Sequence, residues 1–100
     1  MEFRKAGRGD HELLTPLEGE IKKQTGKHLD FYSGREDIGL FVAVENEQLC
    51  GALIAKLLPS ENKGQIVFRH AVSTHPEAEQ KLMQNALKWM REHKINDFHF

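Results

Sequence analysis

The sequence predicts an α+β fold: a mixed, mostly antiparallel sheet of about five strands with two helices, in the order β-α-β-β-β-α-β. Three patterns support this. Ile38 to Val44 and Leu49 to Leu58 are apolar runs rich in β-branched residues, separated by the polar turn Glu45-Asn46-Glu47-Gln48, which reads as a hairpin. Ile66, Phe68, His70 and Val72 alternate with Val67, Arg69 and Ala71, as in a strand. Ala78, Leu82, Ala86 and Met90 then recur at spacing four, with Glu79, Gln80, Gln84, Lys88, Arg91 and Glu92 opposite, as in a surface helix.

Taken in order, Phe3 to Lys5 is a short first strand that ends at the Gly7-Arg8-Gly9-Asp10 turn. Thr15-Pro16-Leu17-Glu18 reads as a helix start. Thr15 is placed to cap the N3 amide, Pro16 suits the first helical position and Glu18 completes a capping box. Leu17 and Ile21 share one face of this helix, Gly26 ends it, and Leu13 and Leu14 form a preceding turn. Lys27 to Asp37 is polar and reads as a loop with local packing around Phe31 and Tyr32.

Both strands of the hairpin are apolar on both faces, so both faces are expected to be covered. Gly51 inside the second strand marks a bulge or a close backbone approach. Pro59 to Gly64 is a polar loop. Thr74 and Glu77 form a second capping box, with Pro76 in the first turn of the helix that carries Trp89. Ile95 to Phe100 is a last strand, parallel to Ile66–Val72 through a right-handed crossover.

The 100 residues suit one domain, 1–100, and 39% apolar with 29% charged residues describes a globular chain. A net charge of -1 with interspersed signs argues against a nucleic-acid surface and against membrane binding. No apolar run has the length of a spanning helix, and the Met-Glu-Phe-Arg-Lys start lacks a signal-peptide core. The single cysteine, Cys50, excludes an internal disulfide and suits a reducing cytoplasm.

Chemistry-bearing patterns are sparse. Six histidines, His11, His28, His70, His75, His93 and His99, lack the i, i+4 pairing of a metalloprotease, and Cys50 stands alone, so no metal site is expected. Cys50 in an apolar strand reads as an inert buried thiol. Ser73 has no flanking elbow glycines. Glu45 and Glu47 read as turn solvation. No catalytic residue is assigned.

The element order and the local pattern of the second half resemble the GNAT acyltransferase fold. In that family a strand ends near a Val, and a Pro and the segment Arg/Gln-x-x-Gly-x-Gly/Ala follow. The amides of that segment hold the acetyl-CoA pyrophosphate at a helix start. Val72, Pro76 and Leu87 match these positions, and Phe41 to Leu53 is similar to the family's second and third strands. Counting from Pro76, Glu79 fills the Arg/Gln position and Leu82 and Gln84 fill the glycine positions, so the acetyl-CoA motif is degenerate. The family continues with further strands and a helix, so the resemblance implies a truncated member ending at Phe100.

The resemblance implies that acetyl-CoA, if bound, would lie against Val72, Gln80, Lys81, Leu82 and Gln84, cradled by the amides of 80–84 with Lys81 as a supporting charge. The leading expectation is a non-catalytic domain without a cofactor, acting by protein contact. Its C-terminal strand, Asp97 to Phe100, would present an open edge to a protein partner or a second copy. The alternative is a compact N-acetyltransferase that uses acetyl-CoA and is completed by dimerisation or a partner subunit.

Overall fold

A computed structural model describes residues 1–7, 10–32, 35–72 and 75–99. Five strands form one sheet in the spatial order β1-β2-β3-β4-β5: β1 Glu2–Lys5, β2 Ile38–Glu45, β3 Gln48–Leu58, β4 Lys63–Ala71 and β5 Asp97–His99. The first four pair antiparallel, and β5 runs parallel to β4. Helical segments lie on both faces: α1 His11–Leu14, α2 Glu18–Thr25 and α3 Leu29–Tyr32 on one, α4 Glu77–Glu92 on the other. No helix among the described residues is long and apolar enough to cross a membrane.

The doubly apolar hairpin has the two covers it requires. Ile38, Val42, Ala52, Ile54 and Phe68 pack with Leu14, Leu17, Ile21, Leu29 and Tyr32. Phe41, Ala43, Cys50, Leu53, Ala55, Leu57 and Ile66 pack with Ala78, Leu82, Ala86, Trp89 and Met90 of α4. The spacing-four stripe read from the sequence is therefore the buried face of α4, and Leu82, Ala86 and Met90 are each fully buried.

Several local expectations are corrected. The Thr15/Glu18 capping box does not form. The chain turns helical four residues earlier, at His11, and the Thr15 hydroxyl donates to the His11 carbonyl at 3.1 Å inside a continuous run of α1, a tight turn Thr15–Leu17 and α2. Asp10, at the N-cap position of α1, is buried and held by Arg4 of β1. The segment read as a loop contains α3, because Leu29 and Tyr32 lie three apart and both bury against the sheet. The strand expected from Ile66 begins at Lys63, after a tight turn Pro59–Glu61 that closes on Asn62 with φ 54. The Thr74/Glu77 capping box and the edge residue Phe100 lie outside the described residues.

Other signals hold. Gly26 ends α2 in the left-handed region, φ 77, and its amide donates to the Lys22 carbonyl at 2.8 Å. Asn46 and Glu47 have φ 52 and 64, the two-residue turn that matches the twist of a hairpin. Gly51 is both a neighbour of a bulge and a close approach. The pairing shifts between Ala43/Val44, so Cys50 has no residue opposite it. A β-carbon on Gly51 would lie 3.1 Å from the His70 carbonyl oxygen and 3.2 Å from Leu82 Cδ1.

After α4 the chain reverses without glycine. Lys94 takes φ 62, and the Ile95 amide donates to the Met90 carbonyl at 3.0 Å. Ile95 is buried, and β5 then pairs Asp97, Phe98 and His99 with Lys63, Gly64 and Gln65. Among the described residues, β4 runs on from Ile66 to Ala71 with no strand along that edge.

Candidate functional site

The end of the sheet where β4 feeds α4 is held by a relay of backbone bonds. The Val72 amide donates to the Cys50 carbonyl at 2.9 Å, the His75 amide to the Val72 carbonyl at 3.0 Å, and the Ala78 amide to the His75 carbonyl at 3.1 Å. The relay sets His75 above the hairpin turn, on the α4 side of the sheet. Glu45, the last residue of β2, and Cys50, displaced by the bulge, share that side.

These residues form a group that sequence reasoning missed. The ligand atoms of Glu45, Cys50 and His75 all lie within 4.8 Å of one another. His75 Nε2 is 3.1 Å from Glu45 Oε2, and His75 Nδ1 is 3.4 Å from Glu77 Oε1. The Cys50 thiol is buried and donates to the Gln48 carbonyl at 3.7 Å. Cys50 was expected to stand alone; the bulge turns its side chain toward α4, and 25 positions of chain return His75 to it. No linear spacing announces such a meeting.

The Glu77 carboxyl is held below its ordinary pKa by its own backbone amide at the helix start and then by His75. Glu79 pairs with Arg69 of β4 at 3.3 Å. The first turn of α4 therefore carries Glu77 and Glu79, with Glu45 facing it across His75. Carboxylates there complement the positive helix end.

The residues named for an acetyl-CoA cradle separate onto different sides of α4. Leu82 is fully buried against the sheet. Gln80, Lys81 and Gln84 are exposed and, with Glu77 and Phe3 of β1, line a shallow cleft of about 380 Å³ on the flank facing β1. The opposite flank faces β4 and β5, where Glu79 meets Arg69 and Arg91 lies 5.5 Å from the Phe98 ring. Val72 sits at the end of β4, joined to Cys50 rather than to Gln80, Lys81 or Gln84. Helical geometry also pairs each amide from Lys81 onward with the carbonyl four residues back.

A second cleft, about 570 Å³, lies at the same end of the sheet and includes Met1, Arg4, Asp10, Glu45 and Glu47. The Met1 amine stands 4.0 Å from Glu45 Oε1. The remaining described histidines with ionic neighbours are surface pairs: His11 with Asp30 at 3.8 Å, His28 with Glu18 at 3.8 Å and His99 with Asp97 at 3.5 Å.

No protein-family model matches the sequence, and no curated protein matches it. Solved structures do match the fold. An aminoglycoside antibiotic 6'-N-acetyltransferase from Acinetobacter haemolyticus superimposes with a TM-score of 0.78 at 11% identity, covering 99% of this chain and 77% of that one. An acetyltransferase from Vibrio fischeri gives 0.72 at 14% identity, over 98% of this chain and 93% of that one. An acetyltransferase of the GNAT family from Staphylococcus aureus gives 0.72 at 12% identity, over 97% and 70%. The chain has the GNAT-like fold that its element order resembled.

Proposed function

We infer that this GNAT-like domain acts by protein contact, in the cytoplasm, and does not transfer acyl groups. The observation that carries this reading is the acidic surround of the α4 start: Glu77 and Glu79 in its first turn, and Glu45 across His75 from Glu77. A diphosphate seated there would meet carboxylates instead of bare amides, and like charges at close range are repulsive. The residues present do not suit acetyl-CoA, so no step is assigned to it.

The contact surface in this reading is the outer edge of β5, which pairs with β4 on its inner side. Its occupant is the same strand of a second copy, edge to edge through β5, residues 97–99. Sedimentation velocity over a micromolar concentration series tests this. A dimer that dissociates in His99→Pro, where a β5 amide is lost, supports it; a strict monomer at every concentration sinks it.

A second reading, a compact acetyl-CoA-dependent N-acetyltransferase completed by a partner subunit, is favoured by one detail. Leu82 turns into the core and Arg69 offsets the charge of Glu79, so neither substitution by itself closes the helix start. It predicts saturable amine acetylation, and absence of turnover across a broad amine panel removes it.

A further inference from the structure

We propose that Cys50, His75 and Glu45 form a binding site for a thiophilic divalent cation, zinc in particular. The site joins the bulged end of the hairpin to the start of α4, and it goes beyond the function proposed above: it stands whether or not the domain binds protein.

The donor set selects the ion. A thiolate, an imidazole and a single carboxylate suit zinc, whereas calcium and magnesium take all-oxygen sites. Zinc bonds sulfur at about 2.3 Å, imidazole nitrogen at about 2.0 Å and carboxylate oxygen at about 2.0–2.2 Å, which places neighbouring donors roughly 3.3–3.6 Å apart in a tetrahedron. His75 Nε2 and Glu45 Oε2 already lie 3.1 Å apart. The three ligand atoms span at most 4.8 Å, so the Cys50 sulfur need approach by only about 1 Å. A turn of its side chain away from the Gln48 carbonyl, which it meets at 3.7 Å, provides that movement. Thiolate and carboxylate together balance the two charges of the ion, and the fourth position faces solvent past half-exposed Glu45.

A second feature points the same way. His75 offers Nε2 to the group while Nδ1 faces Glu77 Oε1 at 3.4 Å. A carboxylate on the far nitrogen is the arrangement that fixes the tautomer and ring angle of a metal-binding histidine.

The relay from Cys50 through Val72 and His75 to Ala78 links the backbones of two ligands by hydrogen bonds. Occupation of the site would therefore clamp the β3 end to the α4 start. Glu77 acts as a positioning residue for His75.

The test titrates the full chain, free of any affinity tag, with Zn2+ by calorimetry and with Co2+ by absorption. The expected result is one ion per chain and a thiolate-to-cobalt charge-transfer band. Cys50→Ser should abolish that band and weaken Zn2+ binding at least ~10-fold, and Glu77→Gln should weaken binding about 10–100-fold while leaving the band in place. Glu77 is exposed, so its variant folds even if substitution of buried Cys50 disturbs the core. In the unaltered chain, Zn2+ should also slow alkylation of Cys50, and a chelator should restore it. No Zn2+ binding in the micromolar range overturns the proposal. So does binding unchanged by both Cys50→Ser and His75→Gln, which would assign the ion to other groups.

Discussion

Arg4 and Asp10 fasten the first strand to the first helical turn. Arg4 Nη2 donates to Asp10 Oδ1 at 2.5 Å and Nε to Oδ2 at 3.4 Å, while the Gly7 amide donates to Oδ2 at 2.9 Å. Asp10 is the one buried charged residue among those described, and its hydrogen bonds, first that from Arg4, hold its pKa below the ordinary carboxylate range. A carboxyl depressed in the folded state stabilises it above the unfolded pKa, near 3.9, and that contribution fades as pH falls through the folded value. Asp10→Asn should lower the melting temperature at neutral pH by roughly 4–8 °C and flatten the loss of stability below about pH 4. Thermal melts from pH 2 to 7 check both; an unchanged acid limb contradicts the assignment.

The close approach at Gly51 gives a second test. A β-carbon there would press on the His70 carbonyl at 3.1 Å, Leu82 Cδ1 at 3.2 Å and the Ala78 β-carbon at 3.3 Å. Backbone cannot yield as a flexible side-chain end can. Gly51→Val should therefore cost about 1–3 kcal/mol in denaturant unfolding as α4 is pushed from the sheet. A cost below ~0.5 kcal/mol would mean that the helix sits farther out.

Leu82 and Gln84, both expected from the sequence to lie in a cofactor cradle, should behave oppositely. Leu82 is fully buried and Gln84 is exposed. Leu82→Ala should destabilise by about 2–5 kcal/mol, whereas Gln84→Ala should stay within roughly 0.5 kcal/mol of the parent. Equal effects in chemical denaturation would contradict the orientation of α4.

The hairpin turn holds Glu47 at φ 64, a conformation that disfavours residues other than glycine and, less strictly, asparagine. Glu47→Gly keeps Asn46 first and completes the Asn-Gly pair such turns favour, so stability should rise by about 0.5–1 kcal/mol. A loss on substitution would show that the Glu47 side chain contributes more than its backbone strain costs.

Periodicity made most of the fold legible. The spacing-four stripe of α4 and the doubly apolar hairpin depend on burial, and burial writes itself into residue type. What escaped depends on contacts between distant residues. Thr15 had the right neighbours for a cap, yet the chain is already helical from His11, beside Asp10 and its long-range partner Arg4. Leu29 and Tyr32 form too short a pattern for a helix to be read. The Glu45–Cys50–His75 group was illegible because it depends on the bulge at Cys50 and on the backbone relay through Val72. Gly51 was the visible trace of that bulge. The flank on which Gln80, Lys81 and Gln84 fall was set by which stripe α4 buries, and reading that stripe together with the motif positions would have assigned Leu82 to the core.

The reading of this domain depends most on the acidic start of α4. Calorimetric titration of the unaltered chain with acetyl-CoA tests it most directly. No saturable heat is expected up to millimolar ligand, and the same silence with coenzyme A. A micromolar dissociation constant with one site per chain would contradict it, and would return the helix start to the role of a pyrophosphate cradle.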